Sequence, residues 1–504
     1  MMANDEGSPT TPWMATGRFL GVLYLLESSV ILFVLSLYRA DRKPGIITFL
    51  TSSAGWYCLT AIGVFLISVV FIAYQFRNSQ PPRSQQLRMT AMMNLVTLVF
   101  MIGTGELFLR IVAVESPSGV VKVGNRVLLP RSWPDFVTRY LVTRDTAVLV
   151  NSPELLSPGM SFLVYDELLG WNNGPNRCSH DGLYCSSSIG TRSPQAGTVF
   201  ADRSGAYRIA LIGDSFTFSN EVGYEESWAY KLERKLRPQV QVLNFGVSGY
   251  GLDQAYLRYT RDVRPWHPDI VVLGFIRADI WRMGRVYEFL SWPEWGVPLG
   301  KPRFILKNHR LELPNVPLPR PEELVHKRSI EELPFIHYEA NYHREEWDKP
   351  AWRPFYHSYL FRFLLSVHPP DDNPPEEASG PAIKDLGREL IHSFIEDATE
   401  AGSMPIIVFF PTSEELSYAD SASSRVKPLP FGAEFVRDAG GEVIDLTPCL
   451  KKANPPPSFQ RGDHYSAQTN TVVAECLYDG IRTRLGLLPS HRSKRQFARK
   501  VLEQ

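Results

Sequence analysis

IALIGDSFTFSN, Ile209 to Asn220, sets an apolar run of strand type against Gly-Asp-Ser, a polar turn and a helix-like segment. A turn this sharp from strand to helix needs a glycine for its backbone angles. It also leaves the first amides of the next helix free to face a developing negative charge. Ser215 is therefore either a nucleophile or an N-cap, a place that serine also favours.

The same alternation continues outward from that stretch. Apolar strand candidates are Tyr207 to Ile212, Val240 to Phe245, Ile270 to Phe275, Pro405 to Phe410 and Val443 to Leu446. Helical patterns fall at Glu226 to Leu236, Leu252 to Val263, Ile383 to Ala401 and Ala433 to Ala439, and a last helix is expected over Gln468 to Leu485. Strands that alternate with helices build βαβ units. The expectation is an α/β fold of flavodoxin-like, three-layer α/β/α type with a mainly parallel five-stranded sheet, occupying 207–485. A long segment rich in Pro, Trp and Tyr, about 281–380, interrupts it between the third and fourth strands. Insertions at such places usually build lids or binding walls, although at each single position an aromatic ring is more often packed in a core.

The first 115 residues are of another kind. Phe19 to Tyr38, Leu50 to Tyr74 and Met89 to Leu109 each have the apolar length of a ~20-residue membrane helix. An all-α membrane region of three helices is expected over 1–115, then a Ser-, Pro- and Gly-rich lead-in over 116–206 packed on the α/β domain, and a basic tail over 486–504. Both short loops between the spans are basic, with Arg39, Arg42 and Lys43 in the first and Arg77, Arg83 and Arg88 in the second. Only the first also carries an acid, Asp41, which favours the second loop inside and the large C-terminal part outside. Glu106 precedes Arg110 by one turn, the favoured order for an ion pair, and Glu27 beside Ser28 and Ser29 marks a helix-packing face.

With 53 basic and 53 acidic residues the formal charge is zero, so nucleic acid is not an expected partner. The five cysteines form no CxxC pair and have no histidines at zinc-like spacing, and no metal or organic cofactor is expected. Cys178 and Cys185 lie in one loop-like stretch and are placed to pair if that loop faces an oxidising compartment.

In a doubly wound sheet, ligands bind beyond the carboxyl ends of the strands. Here the first strand ends in Gly213-Asp214-Ser215, the second runs into NFGVSGYG from Asn244 to Gly251, and the third into GFIRADI from Gly274 to Ile280. GDHYS then places His464 just before the last helix. A serine hydroxyl needs a base to take its proton, histidine is the usual one, and the base needs an orienting carboxylate.

These blocks resemble the SGNH or GDSL-type hydrolases over about Tyr207 to Leu485. Ser215 matches the family's nucleophile, Gly249 the glycine whose amide joins that of Ser215 in the oxyanion hole, and His464 its base. Two departures stand in the sequence. The third block of the family ends in Gly-x-Asn-Asp, where Ala278 here precedes Asp279, and the family's acid lies two or three positions before the histidine, where this chain has Gly462 and Arg461. Asp463, adjacent to His464, is the expected acid. Asp214 and Asn244 are expected to order their turns by hydrogen bonding, and Arg277 and Asp279 to form either a salt-bridged wall or part of the site.

The resemblance implies a membrane-anchored serine esterase working through an acyl-enzyme on an ester-bearing envelope glycan or lipid, or an acyltransferase onto a sugar hydroxyl. The alternative is a catalytically weakened protein that keeps the fold to bind a glycan or to assist assembly. A transporter with an accessory domain is a third reading, and two intramembrane carboxylates are too few to carry it.

Overall fold

The computed structural model describes residues 12–40, 53–116, 119–141, 162–200, 206–238, 240–291, 299–340, 346–367, 381–418, 433–460 and 462–486. The basic residues Arg42 and Lys43, Arg461 and the tail from 487 onward lie outside them. The chain forms two compact units. The first takes 1–114, 122–130 and 349–369, and the second takes 115–121, 131–348 and 370–504.

The first unit contains helices α1 (Pro12–Ala40), α2 (Ser53–Asn78) and α3 (Arg83–Val112). Each is long and apolar enough to cross a membrane, over Thr16–Ser36, Gly55–Asn78 and Arg83–Val112. Large apolar side chains stand outward on them, Ile67 at 71% and Phe100 at 69% exposure. Phe19 meets Phe76 edge-on at 5.7 Å between α1 and α2. Glu27 of α1 accepts a hydrogen bond from the Asn94 amide of α3, so its carboxylate serves helix packing.

The second unit is built on five strands: β1 (Tyr207–Gly213), β2 (Val240–Asn244), β3 (Ile270–Phe275), β4 (Met404–Phe409) and β5 (Val443–Asp445). All neighbours pair in parallel, in the spatial order β2-β1-β3-β4-β5. This is the flavodoxin-like doubly wound order, with its switch point beside β1.

Two-residue alternation along the strands makes the three layers. Ile209 and Leu211 of β1 enter one core with Trp228 and Leu232 of α5 (Trp228–Leu236) and Val473 and Leu477 of α11 (Ala467–Leu485). Ala210 and Ile212 enter the other with Ala255 of α6 (Leu252–Arg258), Phe394 of α9 (Pro381–Glu400) and Val436 of α10 (Ala433–Asp438). Ser227 and Ser466 cap α5 and α11 by accepting the amides of Tyr230 and Thr469 at 3.3 and 3.2 Å. The helix expected to reach Val263 ends at Arg258 and widens into a π turn over Tyr259–Val263. Pro265 follows, and it has no N–H with which to continue an α-helix.

The lead-in and the insertion are folded parts of these units. Trp133 and Phe136 from the lead-in pack with Phe289 and Trp347 from the insertion in a separate aromatic core, and both tryptophans are 1% exposed. Those rings are core residues and present no face to a sugar.

Candidate active site

Gly213 closes β1 with φ at +143°, and a Cβ built on it would lie 2.2 Å from the Gly274 carbonyl oxygen of β3. Only glycine permits this approach, and it throws the chain at once into α4 (Ser215–Phe218). Asp214 caps α4, its Oδ1 accepting the amides of Phe216 at 2.9 Å and Thr217 at 3.2 Å. Its carboxyl is fully buried, and burial pushes it above the usual carboxylate range against the pull of Arg282 and the two amides.

Ser215 Oγ lies 2.9 Å from His464 Nε2, within reach for proton transfer. The other ring nitrogen, Nδ1, lies 2.9 Å from Glu221 Oε2. The acid against the histidine is therefore Glu221 and not the expected Asp463. Asp463 adopts the left-handed backbone (φ 65°), and its N–H donates to Gln460 O at 3.1 Å in the tight turn that presents His464. Aspartate tolerates that conformation better than most residues, and here it serves the backbone of the turn.

Glu221 is itself left-handed (φ 64°), as is Ser219 (φ 62°). Non-glycine residues so placed cost about 1–2 kcal/mol each, and they collect where surrounding structure imposes them. Its carboxylate also accepts the Gly462 amide, at 3.0 Å on Oε1 and 3.1 Å on Oε2. The hydrogen bond with His464 first, and the backbone amides next, hold its carboxyl below the ordinary glutamate range despite partial burial.

The structure that imposes this loop comes from the lead-in. The guanidinium of Arg192, 2% exposed, donates to the carbonyls of Phe218, Ser219 and Val222 and lies 4.6 Å over the Phe218 ring. Burial lowers its pKa to about 10, which leaves it charged at neutral pH. The Glu221 amide donates to the hydroxyl of Tyr184 at 2.6 Å. Cys185, next to that tyrosine, is disulfide-bonded to Cys178.

A second bridge, Cys449–Cys476, joins the 447–451 turn to α11; its partners are 27 residues apart, and no short spacing announced it.

Asn244 clasps two loops together, with Nδ2 donating to Thr217 O at 2.8 Å and Oδ1 accepting the Gly246 amide at 2.9 Å. The Val247 amide donates to Gly213 O at 3.0 Å, and Asn220 Nδ2 donates to Ser248 Oγ at 3.0 Å, so the loop carrying Gly249 lies along the Ser215 turn. Gly249 has φ at +81°, and a Cβ there would stand 3.2 Å from Glu288 Oε2 and 3.4 Å from Trp171. Trp171 and Asn173, again from the lead-in, fasten this loop by hydrogen bonds to Ser248 O at 2.9 Å and Gly246 O at 3.0 Å.

At the end of β3, Asp279 caps α7 (Arg277–Arg282) through the Ile276 amide at 3.0 Å and pairs with Arg282 at 2.6 Å. Burial first and the charge of Asp214 second push its carboxyl up. Arg282 also reaches toward Asp214 at 3.9 Å and Glu288 at 3.4 Å, making a buried ionic base under both loops. Arg277 is mostly buried, 4.9 Å over the Trp281 ring and 3.7 Å from both Glu414 and Glu415. Ala278 packs on the core beneath α5 and α11.

Sequence reasoning missed Glu221, Arg192 and Trp171. Glu221 carries a weak signal, an acid in a Ser-Asn-Glu-Val-Gly turn six positions after Ser215. Nothing in the local sequence marks Arg192 or Trp171, whose roles exist only through long-range contact.

No family model matches the chain, and no curated protein matches it. Among solved structures it is similar to a lipolytic protein of the G-D-S-L family from Desulfitobacterium hafniense, at 13% identity over 54% of this chain and 98% of that one, with a TM-score of 0.25. An acetyl xylan esterase is similar at 13% identity over 54% and 99%, with a TM-score of 0.30. A lipase/acylhydrolase from Enterococcus faecalis is similar at 14% identity over 55% and 96%, with a TM-score of 0.29. The likeness is of that order and no more, and the fold stands on its own strand order.

Proposed function

We propose that this chain is a membrane-anchored serine ester hydrolase or O-acyltransferase that works through an acyl-enzyme on Ser215. The observation that carries the reading is the unbroken relay Ser215 Oγ, His464 Nε2, His464 Nδ1, Glu221 Oε2, with both links at 2.9 Å. Ser215 Oγ attacks the ester carbonyl as His464 Nε2 takes its proton, and the Nδ1–H donates to Glu221, which offsets the charge gained by the ring. The carbonyl oxygen becomes an oxyanion facing the amides of Ser215 and Gly249. When the carbon–oxygen ester bond breaks, His464 returns the proton to the leaving alkoxide. A second acceptor, water or a sugar hydroxyl, then repeats the sequence in reverse, giving hydrolysis or transfer.

Three apolar helices support a membrane anchor. Two disulfides in the second unit support an extracytoplasmic site, and an odd number of spans agrees with a cytoplasmic N-terminus. An ester-bearing envelope glycan or lipid is the substrate class that this placement favours. The second reading, a weakened binding or assembly protein, draws on Ala278, since loss of one oxyanion donor costs about 10²–10³ in rate in a known case.

The test is labelling of the full-length protein in detergent by a fluorophosphonate probe, beside Ser215→Ala and His464→Ala. Labelling of the parent that vanishes in both variants is expected. A folded parent that takes no label would leave the binding reading in its place.

A further inference from the structure

In the first unit, helix α8 (Tyr359–Ser366) is built inside out. Its two most polar side chains, Arg362 and Ser366, are the buried ones, at 9% and 1% exposure. Leu360, Phe363, Leu364 and Leu365 stay part-exposed, and Val367 just beyond is 40% exposed. A helix on a water-facing surface does the reverse. The inward polar groups have built-in partners. Arg362 donates to the carbonyls of Leu128 at 2.7 Å and Pro130 at 3.2 Å, and Ser366 Oγ accepts the Leu129 amide at 2.8 Å.

The turns before α8, Pro350–His357, continue the pattern. Trp352 stacks on Phe361 at 6.2 Å, and Phe355, 5.8 Å from Phe361, is 54% exposed. A cleft of about 560 Å³ opens beside them, with Ile102, Phe355 and Phe361 as apolar walls and Arg110 and His357 among its polar groups.

This segment is fastened to the last turns of α3. The Glu106 carboxylate accepts the amides of Tyr359 at 3.0 Å and Leu360 at 2.8 Å and the Ser358 hydroxyl at 2.9 Å. Arg110 donates to His357 O at 2.6 Å and lies 4.7 Å over the Tyr359 ring. On the same turns of α3, Phe108 and Ile111 are 62% and 73% exposed. An arginine with Trp and Tyr at the end of an apolar helix marks the headgroup level of a bilayer. Apolar side chains reach the surface on both α3 and the Pro350–Val367 segment.

We infer that Pro350–Val367 is a fourth membrane element, lying in the interface of the bilayer at the end of α3, with its apolar face and the adjoining cleft covered by phospholipid. The inference rests on α1 to α3 being membrane spans. Interfacial helices of this kind bury their apolar face about 5–10 Å into the headgroup boundary.

The test uses full-length protein in phospholipid nanodiscs. Cys58, the free cysteine among the described residues, is replaced by serine. Single nitroxide labels are then placed at Phe355→Cys and Val367→Cys, with Ile67→Cys of α2 as the span reference and Val199→Cys, 76% exposed in the second unit, as the water reference. The expected result is a ratio of oxygen to nickel-chelate collisions at 355 and 367 several-fold above that at 199. A ratio at 355 and 367 equal to that at 199 overturns the inference. So does a label that neither reagent reaches, which would mean that a partner protein or a second copy covers the face. A water-like ratio at 67 overturns the span reading and the inference with it. None of these readouts depends on esterase activity, so the inference and the proposed chemistry fail separately.

Discussion

Ser215 and Glu221 are six residues apart, yet different parts of the chain hold them. The Ser215 turn is a product of the sheet: β1 stops at Gly213, which sits against Gly274 of β3, and Asp214 caps the short helix that follows. The Glu221 loop leaves that helix with two left-handed non-glycine residues, and it is held from outside by Arg192 and Tyr184. In the proposed relay the nucleophile needs only a reproducible strand end, whereas the acid needs a scaffold that the α/β core does not supply. The lead-in provides that scaffold, and so it belongs to the site.

The comparison breaks most directly at the acid. Glu221→Gln keeps the shape but loses the charge that favours the working tautomer, and the rate of fluorophosphonate labelling should fall by about 10⁴. A fall of less than tenfold would return the role to another carboxylate. Arg192→Met leaves three carbonyls without their donor. A stability loss of about 3 kcal/mol in urea unfolding and a labelling rate about 10² lower should follow, because the acid is displaced.

The two carboxyls sharpen the contrast through pH. Glu221 has its folded pKa lowered below the ordinary glutamate value. Its contribution to stability is complete above that value and is lost as pH falls through the lower folded pKa. Asp214 is raised by burial above the ordinary aspartate value, so its protonated form favours the fold, and that contribution fades as pH rises through the folded pKa. In melting curves across the acid range, Glu221→Gln should therefore lose less stability than the parent on acidification, and Asp214→Asn should lose more. Identical slopes for parent and variants would contradict both assignments. The smallest effect is expected at Asp463, where Asp463→Asn retains the turn and should change the labelling rate within about twofold.

Much of the fold was legible because it rests on local pattern. Alternating apolar residues in β1 to β4 are buried on both faces, so each strand reads as a compact apolar run between helices, and its ends were found to within about a residue. The meeting of Ser215 and His464 was legible because each sits beside a strand or helix boundary with its own short motif. The acid was misplaced to Asp463 because nearness in sequence stood in for nearness in space. Arg192 and Trp171 carry no motif, and their work is done on carbonyls of loops about 26 to 77 residues away. The inverted helix α8 was hidden for a related reason, since the apolar run Tyr359–Val367 inside a long insertion reads equally as core, and only Arg362 and Ser366 turning inward separate the two.

The three hydrogen bonds that Glu106 accepts from Ser358, Tyr359 and Leu360 bear on how this protein can be prepared. A truncation beginning after Val112 removes the Glu106 carboxylate that accepts the opening amides of α8, and with it the apolar helix α3 to which that segment is fastened. Such a fragment would carry Leu360, Phe361 and Phe355 into water and self-associate. The intact chain, kept in detergent or lipid from extraction onward, is the form to purify.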